Sequence, residues 1–89
     1  MAWRIDFDER AERELDKIGH VAAQRIIRFL NQRVAKLDDP RSIGEALKGP
    51  ELGAFWKYRV GDYRIIASIE DNVLRILVVR VGNRRDVYR

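Results

Sequence analysis

The stretch from residue 54 to residue 81 constrains the fold most. It alternates apolar and polar side chains and is cut twice by turn-forming pairs, Gly61-Asp62 and Asp71-Asn72. Period-two alternation marks half-buried strands, and a glycine at the first central position suits the type II′ turn of a tight hairpin. The stretch therefore predicts three strands, about 54–60, 63–70 and 73–81, in an antiparallel meander.

Register follows from the first turn. A two-residue loop sets Val60 opposite Tyr63, Arg59 opposite Arg64, Tyr58 opposite Ile65 and Lys57 opposite Ile66. Opposed residues share a face. One face then carries Trp56, Tyr58, Val60, Tyr63, Ile65, Ala67 and Ile69 and is continuously apolar. The other carries Phe55, Lys57, Arg59 and Arg64, with Ile66, Leu77 and Val79 beneath. Like charges directly opposed across two strands destabilise a sheet by about 0.2–1 kcal/mol. No acid on these strands is positioned to neutralise the three cations. The pattern points to a phosphate-binding platform; the plainer alternative is an exposed face whose long side chains splay into water.

The apolar face needs a cover, and the N-terminal half supplies it. Residues 2–7 alternate, with Trp3, Ile5 and Phe7 on one side, as in a short strand. Asp8 is a candidate helix N-cap, followed by Glu9 and Glu12 where the helix dipole favours carboxylates. Ala11, Leu15 and Ile18 recur at helical spacing until Gly19. A second apolar stripe of Ala22, Ile26, Phe29, Leu30, Val34 and Leu37 predicts a helix over 21–37, stopped by Asp38-Asp39-Pro40. The connection 38–53 is long for so small a domain, with Ile43 and Leu47 as its expected anchors to the core. The expected fold is α+β in one domain spanning 1–89: an N-terminal strand and an antiparallel helix hairpin packed on an antiparallel β-sheet.

Composition narrows the partners. The chain has 89 residues, no cysteine and one histidine. Residues 1–47 hold nine basic and nine acidic side chains, whereas 48–89 hold nine basic and five acidic, so the net charge of +4 resides in the second half. A basic β half suits an acidic partner. Neither a leader-like apolar run nor a stretch of membrane-spanning length is present, and no membrane partner is expected. With no thiol as well, the cytoplasm is the expected compartment.

The available chemistry is limited. A single histidine, placed between the helices, and acids scattered in turns give no metal-ligand spacing. There is no nucleophilic triad, phosphate loop or dinucleotide fingerprint, so no cofactor and no metal are expected. RNA, however, brings its own nucleophile, the 2′-hydroxyl beside each phosphate. A protein need only orient it, help remove its proton and stabilise the charge that develops on phosphorus. Lysine among arginines can serve as base, arginine grips phosphate bidentately, and tyrosine stacks on a base. The C-terminal Arg84, Arg85 and Tyr88 add such groups to the hairpin set.

The segments IDFDERAERELDKI (5–18), LKG (47–49), YRVGDYRII (58–66) and VGNRRDVYR (81–89) together resemble the RelE family of the RelE/ParE toxin superfamily. The likeness spans nearly the whole chain in order. It implies the toxin of a type II toxin–antitoxin system, a metal-independent endoribonuclease that enters the ribosomal A site and cuts mRNA by 2′-hydroxyl attack. It implies as partners the ribosome and mRNA, a cognate RelB-like antitoxin, and operator DNA only through the antitoxin complex. By motif position, Lys57 matches a family lysine proposed as general base and Arg64 the arginine that holds the scissile phosphate. Arg84 matches the arginine proposed to protonate or stabilise the leaving 5′ oxygen, of which stabilising is preferred because an arginine proton is hard to remove, and Tyr88 the tyrosine that stacks on the substrate nucleotide. Lys48, Arg59 and Arg85 are expected RNA contacts. The chain departs from well-studied members at Phe55, where they carry a second lysine. Two alternatives remain at the level of sequence: a ParE-like toxin that inhibits gyrase without chemistry, and a catalytically degenerate module that binds antitoxin and operator.

Overall fold

The computed structural model describes residues 2–48 and 55–87. Strand β1 (Arg4–Phe7) leads into α1 (Glu9–Ile18) and α2 (His20–Phe29). After a short β2 (Glu45–Ala46) come β3 (Phe55–Val60), β4 (Tyr63–Glu70) and β5 (Arg75–Asn83). The sheet order is β1-β5-β4-β3-β2.

The helices begin and end as their sequence dictates. The Asp8 carboxylate accepts the Ala11 N–H at 2.9 Å, capping α1. Gly19, at φ +93°, ends α1 and starts α2, a backbone geometry that disfavours side chains. The second helix runs from His20 rather than residue 21, and is α-helical only to Phe29. Leu30–Val34 then forms a π-helical turn, and no regular helix reaches residue 37. Ile26, Leu30 and Val34 are nonetheless buried, so the wider turn keeps the apolar stripe on the sheet.

The β3–β4 register is the one expected, with Val60, Arg59, Tyr58 and Lys57 opposite Tyr63, Arg64, Ile65 and Ile66. Gly61 has φ +58° and Asp62 has a negative φ, the pattern of a type II′ turn. The core lies where the apolar face meets the helices. Tyr58, Val60, Ile65 and Ala67 pack with Ala11, Leu15, Ile26 and Leu30, while Trp3 and, partly, Ile5 and Phe7 close one end.

Several expectations need correction. The sheet is mixed, because β1 pairs with β5 in parallel. The second turn is longer than Asp71-Asn72: a 3-10 turn over Asp71–Val73 is closed by Leu74 in the left-handed region, and β5 starts at Arg75. The last strand continues through Gly82 to Asn83. Ile43 is exposed, so it does not anchor the connection. Pro40 does: it is buried, and its carbonyl accepts the Tyr58 hydroxyl at 2.6 Å. Further on, β2 pairs Glu45 with Lys57 and Ala46 with Trp56, an added edge strand too short to show in sequence. Gly49–Ala54 lie outside the described residues, so the end of the connection does too.

Candidate nucleic-acid interface

The second face of β3 and β4 carries Lys57, Arg59 and Arg64, as the register requires. Their environments differ. Arg59 is exposed and Lys57 half-buried. Arg64 is only 7% exposed, the one charged residue buried among those described. Its Nη1 donates to the carbonyls of Gly61 at 3.0 Å and Tyr63 at 2.9 Å. No carboxylate pairs with it among the described residues, and Nε and Nη2 have no protein acceptor there. Burying a guanidinium is costly unless its donors are satisfied. Here the turn carbonyls hold the group in place and leave part of its donor fork for an anion.

The cation set is less free than the sequence suggests. Lys57 Nζ lies 3.4 Å from a carboxylate oxygen of Glu45. This acid comes from β2, the strand that sequence periodicity could not show. Glu45 is itself highly exposed, so an incoming phosphate competes with it in water rather than in the core. Arg59 has no acidic partner among the described residues.

The C-terminal segment is brought to the same place. Arg64 stands opposite Gly82 on β5. A Cβ on Gly82 would lie 3.6 Å from the backbone and side chain of Val87, which is 1% exposed. The chain therefore turns back after Asn83, with the Asp86 and Val87 N–H groups donating to the Asn83 carbonyl, and Val87 covers the glycine on the face that Arg64 shares. Arg84 is exposed, and its N–H donates to the Asp62 carbonyl at 2.9 Å. The hairpin turn thus holds Arg64 through Gly61 and Arg84 through Asp62. Arg84 and the exposed Arg85 line a shallow depression of about 400 Å³ with Asp62, Asn83 and Asp86.

One candidate is not brought in. Lys48 is exposed on the segment after β2, and no contact among the described residues links it to Arg64. Tyr88 lies outside the described residues. Phe55 lies on the cation face and lines an apolar cavity of about 330 Å³ with Ile66, Val79 and Val87, rimmed by Asp8, Arg10 and Arg80. Sequence reading missed Glu14. From α1 its carboxylate accepts the Val81 N–H at 3.0 Å and Arg80 Nε at 3.2 Å, satisfying β5 just beyond the end of β1. Its place on a polar helix face gave no signal of this. No group of three His, Cys, Asp or Glu side chains that could hold a metal comes together among the described residues. No helix there is long and apolar enough to cross a membrane.

Comparison with known proteins agrees with this architecture. Residues 5–88 match the family described as the ParE toxin of the type II toxin–antitoxin system parDE. The chain is 32% identical to the mRNA interferase toxin RelE of Escherichia coli, covering 99% of this chain and 92% of that protein. It is 27% identical to the toxin RelG of Mycobacterium tuberculosis, covering 100% and 99%. Among solved structures, the RelBE2 toxin–antitoxin complex of M. tuberculosis matches with a TM-score of 0.85 at 24% identity, covering 97% and 95%. The intact RelBE complex of E. coli matches with a TM-score of 0.70 at 27% identity, covering 92% and 96%. With nearly its whole length matched and this fold, the chain belongs to the RelE/ParE superfamily of type II toxin–antitoxin toxins.

Proposed function

We propose that this toxin is a ribosome-dependent endoribonuclease that cuts mRNA through attack of the 2′-hydroxyl on its neighbouring phosphate, without a metal. The observation that supports it most is Arg64: a buried guanidinium, fixed by two turn carbonyls, with donors left over and no carboxylate beside it among the described residues. A rigid, partly desolvated cation is suited to a phosphate whose charge grows in the transition state. Lys57, opposite Ile66 and two residues from Arg59, acts as general base. Arg84 stabilises the leaving 5′ oxygen; arginine holds its proton too firmly to be a convenient acid. Tyr88 stacks on the substrate base, and Lys48, Arg59 and Arg85 contact RNA phosphates. The relative of E. coli is named an mRNA interferase, which favours this chemistry.

The partners follow from the same kinship. Solved relatives include toxin–antitoxin complexes, and a cognate RelB-like antitoxin would restrain this chain in the cytoplasm, with operator DNA reached through that complex. A second reading, a ParE-like gyrase inhibitor, is favoured by the description of the matching family. The two separate in a purified translation system carrying one defined message. Endonuclease action gives cuts within the A-site codon and 2′,3′-cyclic phosphate ends only when ribosomes are present. Intact message, together with gyrase-linked DNA breaks in cells, would select the other. Tyr88→Ala should slow cutting more than Tyr88→Phe if stacking is its role.

A further inference from the structure

Among the described residues, Arg4 pairs with Asp6, Arg41 with Asp71, Arg75 with Glu70 and Arg80 with Glu14. Four arginines outside these pairs gather in one place. Arg25, Arg28 and Arg33 from α2 and the turn after it line a groove of about 330 Å³ with Phe29, Gln32 and Arg59 of β3. No acid lines this groove, and none of its four arginines has a carboxylate partner among the described residues. The sequence explains why: residues 17–37 contain no Asp or Glu at all.

The fold places this helix face beside an uncovered part of the sheet. Strand β2 pairs β3 only at Trp56 and Lys57, so Arg59 lies past its end. There α2 closes in, with the Phe29 ring edge-on to Tyr58 at 6.3 Å. The Arg25 guanidinium reaches the hairpin turn, where a Cβ on Gly61 would be 3.0 Å from its Nη1. Arg33 lies 5.9 Å over the Phe29 ring. A helix face built only to be solvated would intersperse acids at i+3 and i+4, as that lowers like-charge repulsion.

We infer that this groove is a second phosphate-binding surface, which holds RNA outside the cleavage site and anchors the toxin on its substrate complex. The inference rests on the ribonuclease reading above and extends it to a surface that takes no part in the chemistry. Arg59 joins the two, since it belongs both to the cation face of β3 and to the groove. Guanidinium forks suit phosphate oxygens, and continuity with the cation face favours an RNA strand over an acidic protein segment. The phosphates come either from the message or from ribosomal RNA.

The test compares wild type, Arg25→Gln/Arg28→Gln and Arg25→Lys/Arg28→Lys after thermal melts establish that all three fold. Glutamine has nearly the helix propensity of arginine, so the fold should be kept. Binding is measured against a labelled single-stranded RNA 20-mer and against purified 30S subunits over a series of KCl concentrations. For two lost phosphate contacts, the slope of log K against log salt should fall by about 1.4–1.8 for the glutamine variant and stay near wild type for the lysine variant. A fall with the 20-mer assigns the groove to the message; a fall confined to 30S subunits assigns it to ribosomal RNA. In ribosomal cleavage, the glutamine variant should need more ribosomes for half-maximal rate and keep its saturating rate. Unchanged affinity and slope with both probes would overturn the inference, as would a loss confined to antitoxin capture. Failure of the wild type to cut any message would sink the ribonuclease reading instead, and the binding arms would still decide the groove.

Discussion

Arg59 and Arg64 are cross-strand partners on β3 and β4, yet one is exposed and the other is almost sealed. The asymmetry resolves the like-charge conflict that their pairing implies. Arg59, at the sheet edge past β2, joins the arginines of α2. Arg64, in the middle of the sheet beside Gly82 and its cover Val87, is held by the carbonyls of its own turn. One cation is therefore solvated, the other held by the turn.

Replacing Arg64 tests that poise. Arg64→Ala should lower the rate of RNA cleavage by about 10²–10³-fold, the usual loss on removing one preorganised donor from developing charge. Arg64→Lys keeps the charge without the fork and should fall between. Both should still bind the antitoxin, which a pull-down with cleavage assays in parallel would check.

Val87 is expected to matter for activity without touching RNA. Val87→Ala removes two methyl-sized groups from a buried site, costing about 1.6 kcal/mol at ~0.8 kcal/mol per group. For a chain of this length each 1 kcal/mol lowers Tm by roughly 4–8 °C. Calorimetry gives the loss. The cleavage rate at saturating substrate should drop too, because the turn that carries Arg84 loses its anchor over Gly82. A destabilised variant with an unchanged saturating rate would separate Val87 from the positioning of Arg84.

The core-facing side of the same strand makes a prediction about pH. Burial pushes the Tyr58 hydroxyl up to about 12, while it donates to the Pro40 carbonyl. The folded value lies above the unfolded value of about 10, so the neutral form is the one that folding favours. Its contribution is complete below pH 10 and is lost as pH rises through 12. Tyr58→Phe should cost about 1–3 kcal/mol at neutral pH by orphaning that carbonyl. It should also flatten the fall in stability between pH 10 and 12, as read from urea unfolding at each pH.

Much of this architecture was legible because it depends on short-range patterns. Gly61-Asp62 set the β3–β4 register, and with it the shared face of Lys57, Arg59 and Arg64. Asp8 and Gly19 bounded the first helix. The features that escaped depend on contacts between distant segments. Two residues, Glu45 and Ala46, are too few for periodicity, so the acid beside Lys57 was invisible. The parallel pairing of β1 with β5 depends on how α1 and α2 return the chain across the sheet. The π-helical turn preserves the same apolar stripe as an α-helix, so nothing in the spacing of Leu30 and Val34 announces it. The arginine groove required α2 and the hairpin turn to be brought together, a contact between segments more than thirty residues apart, Arg25 and Arg59 among them.

Primer extension across cellular messages after brief induction tests the central claim most directly, with wild type, Arg64→Ala and Arg84→Ala run side by side. The account predicts new 5′ ends within translated codons for wild type, in frame with the start, and their loss in both variants. Wild-type messages without such ends, or cuts that persist undiminished when both arginines are replaced, would contradict it.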